Sequence, residues 1–335
     1  MLDWLRRLPA PGLGLQRACA IAVVVTQALI AVTGSIVRVT GSGLGCPTWP
    51  QCLPGSMFPV EHPEFATLHQ WIEYGNRLFT GVVGIVALAS FALAWLSRRR
   101  GRYLWLAAAM PLGVLVQGLI GGVTVQLDLL WWTVAVHLLA STVMVWLAVL
   151  LVHAVDEGDA PPRPVGPAGV RGVLLAMTVV LACLLVAGTM VTGAGPHAGD
   201  PDTPRLALPV QTLAHVHAAF LFVYLGLLIG LGVLLALGAP RPLWLRFALL
   251  VAAVLGQGVL GFVQYWTGVP EILVSLHVLG AMLVIIATVT MWCAARDRGR
   301  LGEGAHSAPS DSGAADRGSG GAGVHGDRPV VPARG

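Results

Sequence analysis

The chain contains no lysine and few charged residues of any kind. Only 11% of its 335 residues are Asp, Glu, Lys or Arg, and every basic residue is an arginine. A soluble domain carries roughly 25% charged residues, whereas here 56% of the residues are hydrophobic and the mean hydropathy is +0.78. Such a chain cannot bury its apolar surface against itself, so we expect lipid as its solvent. The net charge of +4 comes from arginines in short loops, which indicates membrane topology rather than a nucleic-acid partner.

Eight apolar runs are long enough to cross about 30 Å of hydrocarbon as helices. Each must be helical, because lipid offers backbone polar groups no other partner. The predicted spans are 18–37, 70–97, 103–125, 131–153, 170–192, 209–237, 243–265 and 271–293.

The arginines predict how these spans are oriented. Nearly all of them fall on one side of the membrane, and the exceptions before the tail are Arg38, Arg77 and Arg205. Because arginine is retained on the inside, both termini are predicted to be cytoplasmic in a multi-pass protein of the cell membrane. The segment 296–335 is rich in Gly, Ala, Ser and Pro, and predicts a disordered cytoplasmic tail.

A repeat divides the chain into two halves. QGLIGGV begins at Gln117 and QGVLGFV at Gln257, and a histidine, His137 or His277, follows each glutamine after 20 residues. A weaker echo pairs TGSIV at 33–37 with AGTMV. The glycines alone are equally typical of close helix packing, but packing does not explain the repeated histidine. An even number of helices per repeat gives both halves the same orientation.

The predicted fold class is therefore an all-α membrane protein whose eight transmembrane helices form two pseudo-symmetric four-helix bundles. The predicted segments are a cytoplasmic N-terminus (1–17), an N-terminal half (18–153), a cytoplasmic linker (154–169), a C-terminal half (170–295) and the tail (296–335).

Three histidines are predicted to lie inside the outer half of the membrane. His137 and His277 are each about 9 Å below the outer end of their helices, and His217 lies at a similar depth in the sixth span. A polar group at that depth is costly without a partner, so it indicates either an interhelical hydrogen bond or a functional site. Zinc usually needs three or four ligands, whereas two histidines on facing helices suit haem iron. His215 is predicted to face away from His217.

The second span of the first half opens with a different polar pattern. His69, Glu73 and Asn76 are spaced to share one helix face, and Arg77 follows them. A carboxylate there suits proton or cation chemistry. The alternative is a simple i,i+4 pair with a contribution of about 0.3–0.5 kcal/mol.

Cys46 and Cys52 lie in the first outer loop, on the oxidising side of the membrane, close enough for a disulfide. Their spacing does not decide between a redox role and a structural link.

Taken together, these motifs resemble the haem A synthase family over about residues 18–293. The similarity is carried by GSIVRVTGSGLGCPTWPQC, EYGNR, QGLIGGVTV with His137, HVHAAFLFVYLG, and QGVLGFV with His277. It implies oxidation of the C8 methyl of haem O to the formyl group of haem A by two successive hydroxylations. It also implies a haem b bound through His217 and His277.

The resemblance further implies that the first half receives haem O, with His137 as an iron ligand, Glu73 as the essential carboxylate and the outer-loop disulfide in place. Many members have a histidine where this chain has Asn76. His69 could replace that ligand, or His137 could hold the iron alone. Some members have a cysteine pair in the fifth-to-sixth loop, which here has none and contains His197 instead.

The alternative function is a di-haem membrane cytochrome that takes electrons from quinol without modifying haem. A transporter is less consistent, because the spans contain no broken helices or buried midplane charges. The haem O synthase, protohaem farnesyltransferase, is the expected partner, since a hydrophobic haem is best transferred within the bilayer. The sequence leaves open the electron acceptor and whether the protein is a homo-oligomer.

Overall fold

The computed structural model describes residues 9–63, 66–99 and 101–301, which form eight long helices and two very short strands. All eight helices are long and apolar enough to cross a membrane, which confirms the predicted fold class. They are α1 (Leu13–Val39), α2 (Thr67–Leu96), α3 (Arg102–Gln126), α4 (Trp131–Ala154), α5 (Val170–Ala194), α6 (Val210–Ala236), α7 (Arg241–Trp266) and α8 (Glu271–Ala294).

The first helix shows how the predicted spans relate to the helices. The prediction for it began at residue 18, but α1 begins at Leu13. Its first turns are polar enough to lie beyond the hydrocarbon, and Arg17 there forms an exposed ion pair with Asp156 of the α4–α5 linker. Hydropathy locates the run that crosses lipid, whereas a helix continues for as long as its backbone hydrogen bonds do.

The eight helices pack as two bundles of four. In the first bundle each helix contacts both of its neighbours, closing the ring from α1 through α4. In the second bundle α5 packs on α6 and α7 packs on α8, but the α6–α7 and α5–α8 sides make far fewer contacts. The halves meet where α1 and α4 pack on α8 and α4 packs on α5. The second bundle is therefore the looser one, which leaves room between its helix pairs.

The outer surface of the bundles is apolar. Ile85, Leu115 and Ile229 are 69%, 68% and 70% exposed, and many other large aliphatic residues resemble them. In a water-soluble domain such a surface would cause association, whereas in a membrane it contacts lipid tails. The exposed faces thus agree with a multi-pass membrane protein.

The two-fold repeat extends into the outer turns. Leu129 and Val269, which are 140 residues apart, have left-handed backbones with φ of 57° and 61°. Each donates its N–H to the carbonyl five residues earlier, over 2.9 and 2.8 Å. A bulky residue in this region, and a β-branched one above all, is a rare and strained conformation. Its occurrence at matching positions supports a common architecture for the halves.

Backbone hydrogen bonds join the α4–α5 linker to the segment that follows α8. Strand β1 (Arg163–Pro164) of the linker pairs antiparallel with β2 (Arg296–Asp297), which directly follows α8. Gly158 donates to the carbonyl of Gly299 over 2.9 Å. Residues 296–301, which we assigned to the tail, thus contact the linker, and the rest of the predicted tail lies outside the described residues. The domain limits themselves stay predictions.

Candidate functional site

The rings of His217 on α6 and His277 on α8 lie next to each other inside the second bundle. Their ring centroids are 6.4 Å apart and the ring planes are tilted by 56°. A metal–imidazole bond is about 2 Å long and the nitrogen lies about 1 Å from its ring centroid, so two rings that share one ion are separated by about 6 Å. The observed separation fits a single metal ion between them. His215 is exposed on α6, as predicted from its spacing.

Glycines on the neighbouring helices make room for both rings. A Cβ atom at Gly188 of α5 would lie 3.1 Å from Cε1 of His217, and one at Gly261 of α7 would lie 3.1 Å from Cε1 of His277. Gly188 belongs to the AGTMV echo and Gly261 to the QGxxG repeat. The repeated glycines therefore contact the histidine rings directly, in addition to allowing helices to approach.

A hydrogen bond orients the ring of His217, whereas His277 is bonded only through its backbone carbonyl. Nδ1 of His217 is 3.0 Å from the carbonyl of Leu184, which makes that nitrogen the N–H donor and leaves Nε2 as the metal-binding atom. The side chain of Gln257 donates to the backbone carbonyl of His277 over 2.8 Å. Nδ1 of His277 is buried and has no partner in the described part of the chain.

Around His137, the first bundle repeats the glycine and glutamine contacts of this arrangement, but with a single histidine. A Cβ at Gly121 would lie 3.1 Å from Cε1 of His137, and Gln117 donates to the carbonyl of His137 over 3.3 Å. Gln117 also bonds Oγ of Ser141 at 2.5 Å. Nδ1 of His137 is again buried without a partner. Within the described residues no second histidine ring lies against it, so the halves differ where the second ligand would be.

Asn76, which stands at the position of the missing ligand, and His69, its candidate replacement, lie in different surroundings. Oδ1 of Asn76 accepts a hydrogen bond from Oγ1 of Thr33 on α1, over 2.7 Å, so the amide faces α1. His69 instead lines an outer cavity of about 800 Å³ together with Gln126, Asp128 and other loop residues. His69, Asn76 and His137 therefore do not form a cluster like the pair in the second bundle.

Glu73 is buried and fully engaged. Only 5% of its surface is exposed, and its Oε2 accepts the backbone N–H of Cys46 over 2.7 Å. Its Oε1 accepts from Nε and Nη2 of Arg77 at 3.1 and 2.5 Å. A cationic side chain and a backbone donor thus engage both carboxylate oxygens. The simple i,i+4 pair is present, but it is buried rather than on the surface.

Arg77 links this carboxylate to the outer loop. Besides its bonds to Glu73, it donates to the carbonyls of Thr48 and Gln51 through Nη1 and to that of Cys46 through Nη2. These bonds account for all five N–H donors of the guanidinium group. Arg77 thus positions the loop and the carboxylate rather than offering a free cation.

The loop that Arg77 holds is closed by the disulfide Cys46–Cys52. Its Trp49 rests on α3, since a Cβ at Gly122 would lie 2.6 Å from the indole ring. Gly122 follows Gly121, which contacts His137. The loop therefore covers one end of the first bundle, next to His137.

Two further contacts were not predicted from the sequence. His197 bonds the carbonyl of Val269 through Nε2 over 2.9 Å, so it fastens the α5–α6 loop to the α7–α8 turn. The N–H of Gly43 donates to Gly199 over 2.8 Å and joins that same loop to the first half. In the sequence, only the glycines and His197, which had no assigned role, pointed to these contacts. They did not identify the residues at the other end.

A substitution at Gly261 tests the glycine contact. Gly261→Val places three carbon atoms where a single Cβ already approaches His277 to 3.1 Å, so we expect the ring to be displaced and a low-spin haem signal to be lost. Gly256→Val on the same helix is the control, because nothing lies within 4 Å of its Cβ position. Equal optical spectra for the two variants would contradict the assignment.

A second substitution tests whether the disulfide is structural. Cys46→Ser with Cys52→Ser opens a short loop and is expected to lower the stability by about 2 kcal/mol. The thermal midpoint of the purified variant should fall, and a reductant should lower the wild-type midpoint to the same value without affecting the variant. Cys19→Ser, a free cysteine within α1, serves as the control. An unchanged midpoint would show that the disulfide does not stabilise the loop.

The fold and its histidines define a multi-pass membrane protein built of two similar helical bundles, each with at least one partly buried histidine packed on a glycine. Within the described residues there is no group of three or more His, Cys, Asp or Glu that could hold a metal ion by itself. The chain belongs to the cytochrome oxidase assembly protein family, whose sequence profile matches residues 17–289.

Several characterised proteins are similar to this chain. A haem A synthase of Shouchella clausii is 27% identical over 255 residues, covering 70% of this chain and 81% of that protein. One from Geobacillus thermodenitrificans is 29% identical over 148 residues, 43% of this chain and 44% of that protein. A protohaem IX farnesyltransferase of Thermus thermophilus is 30% identical over 331 residues, 90% of this chain and 51% of that protein. The last two matches thus cover only about half of those relatives.

Proposed function

We propose that this chain is a haem A synthase, an oxidoreductase that converts the C8 methyl of haem O into the formyl group of haem A. Its family membership and its likeness to haem A synthases over most of the membrane portion support this function. The structural observation that best supports the proposal is that the two halves differ in their histidines. One half has two adjacent histidines, and the other has a single partly buried histidine beside a loop that holds a buried carboxylate.

In this proposal the second half holds a resident haem b through His217 and His277. The 6.4 Å separation of the rings, the glycines under them and the looser packing of this bundle fit a flat ring system with iron between two imidazoles. His217 and His277 would hold this haem, which would supply one-electron transfer when bound.

The first half would receive haem O through His137. Between the two alternatives for the second iron ligand, we propose that His137 binds the iron alone. Oδ1 of Asn76 is engaged with Thr33, and His69 lines the outer cavity away from the bundle interior. A five-coordinate iron would leave one face of the substrate open.

The reaction oxidises one methyl carbon by four electrons. The first hydroxylation converts the methyl into a hydroxymethyl group, the second gives a gem-diol, and the diol loses water to leave the aldehyde. We propose that Glu73 stabilises positive charge on the oxidised carbon. Its oxygens already accept hydrogen bonds from Arg77 and the Cys46 N–H, an arrangement that supports this role over uptake of a proton.

The membrane arrangement follows from the arginines. We propose that both termini are cytoplasmic and that the Cys46–Cys52 loop and the histidines lie towards the outside. A partnership with the enzyme that farnesylates protohaem is supported by the Thermus thermophilus relative. That protein is named for this activity, yet about half of its length resembles the present chain.

A pigment analysis distinguishes a haem A synthase from a di-haem cytochrome. The similar proteins described above do not support the cytochrome. The chain is produced in cells that make haem O but no haem A, and the membrane haems are extracted and separated. Haem A is the expected product. Unchanged haem O, with the protein present and haem-loaded, would contradict the proposed function.

A further inference from the structure

Arg38 is a cation between the two halves that the proposed chemistry does not use. It lies near the outer end of α1, and its Nη2 donates to the carbonyl of Thr192 on α5 over 2.5 Å. Its Nε is buried and has no partner among the described residues. Arg205, which is close enough to repel it, donates to the carbonyl of Gly195.

Neither arginine is neutralised within the described part of the chain. The ion pairs found there are formed by other arginines, so no carboxylate lies within 4 Å of Arg38 or Arg205. Two adjacent positive charges at a partly buried boundary are unfavourable unless an anion joins them. The pair therefore forms an incomplete anion site.

A small cavity between the halves is lined in part by Arg38. Its volume is about 20 Å³, and Trp131, Leu138, Thr189 and Thr192 are among its lining residues. This volume admits a group of the size of a water molecule, such as an oxygen atom of a carboxylate. The hydroxyls of Thr189 and Thr192 already donate to backbone carbonyls. Arg38 is thus a donor with an N–H left for a ligand.

Arg38 approaches the second bundle close to its histidine pair. Thr192 is one helical turn, about 5–6 Å, outward of Gly188, and its hydroxyl bonds the Gly188 carbonyl. Gly188 in turn contacts the ring of His217. The sparse contact between α5 and α8 leaves this side of the second bundle open towards α1. On α4, by contrast, Trp131, Val134, Ala135 and Leu138 line the cavity, whereas His137 packs towards α3.

We propose that Arg38, supported by the charge of Arg205, binds a propionate carboxylate of the haem held by His217 and His277. The first bundle then contributes a binding group to the haem of the second. A guanidinium group suits this ligand, because its planar fork matches the two oxygens of a carboxylate. The inference rests on the proposed haem site of the second bundle.

The test compares protohaem with its dimethyl ester, which has the same ring and iron but no free carboxylate. Full-length protein carrying His137→Ala is purified haem-free from haem-deficient cells, so that only the second bundle binds, and is titrated while the low-spin spectrum is followed. We expect protohaem to bind on the order of tenfold more tightly than the ester, as for a hydrogen bond to a charged group.

Adding Arg38→Gln should remove this preference by weakening protohaem binding about tenfold while leaving ester binding unchanged. Unchanged ester binding also shows that the variant is folded. Arg163→Gln, on the exposed strand β1, is the control and should keep the preference.

Three results would overturn the inference. Equal affinities for protohaem and ester in the parent protein would exclude carboxylate recognition without any reference to Arg38. A preference that survives Arg38→Gln, or an equal loss of affinity for both haems, would leave Arg38 as a structural contact to Thr192. If neither haem gives a low-spin spectrum in the parent protein, the haem site itself fails, and this outcome is distinct from the other three.

Discussion

Replacing His277 by alanine is expected to abolish the low-spin haem spectrum while the protein remains folded. The pair with His217 is separated by the distance that one shared ion requires, so removal of either imidazole leaves the iron with a single protein ligand. Removal of a partly buried ring also leaves a cavity next to Gly261. The expected optical change is a shift from low-spin to high-spin haem or complete loss of haem.

The matched control for this change is His215→Ala. His215 lies on α6 two residues from His217, but it is exposed. Its variant should keep the wild-type spectrum and haem content. A low-spin spectrum that persists in the His277→Ala protein, or that disappears equally in the His215→Ala protein, would contradict the proposed ligand pair.

Replacing Glu73 by glutamine is expected to lower haem A formation by at least about a hundredfold, the usual contribution of one positioned group that stabilises a developing charge. Glutamine keeps the size of the side chain and can still accept the N–H of Cys46, but it removes the negative charge. The measurements are the rate of haem O conversion and, separately, the amount of haem O bound. We expect bound haem O to be retained and its conversion to fail.

A structural role for Glu73 would give a different result. Breaking a buried ion pair by removing one partner typically costs about 3–5 kcal/mol, and here it would leave Arg77 unpaired. If Glu73 only fixed the outer loop, the variant would lose thermal stability and haem O binding together. Glu61→Gln, an exposed outer-loop carboxylate, is the control. A normal conversion rate in the Glu73→Gln protein would exclude the chemical role.

Much of the architecture could be predicted because lipid imposes strong constraints on sequence. Hydropathy identified all eight helices, and the spacing of Gln117 and Gln257 to their histidines identified the repeat. The same spacing could not show what the glutamines do. In both halves they bond the backbone carbonyl of the histidine on the next helix, and such a contact depends on the direction of a side chain between two helices.

The residues of the candidate site could be predicted from the sequence, but most of the hydrogen bonds between them could not. Glu73 and Arg77 are four residues apart, so their pairing was foreseeable. Their bonds to three carbonyls and an N–H of the outer loop were not, because loop conformation has no periodic pattern. Arg38 was interpreted only as an exception to the arginine distribution, and its contact with Thr192 emerges from how α1 meets α5.

The proposal that the two halves hold different haems is tested most directly by identifying the haem that each half retains. His137→Ala and His277→Ala proteins are purified from cells that supply both haem b and haem O, and the extracted haems are separated and quantified. The account predicts that the His137→Ala protein keeps haem b and loses haem O and haem A, whereas the His277→Ala protein loses haem b and keeps haem O. Loss of the same haem from both proteins would contradict it.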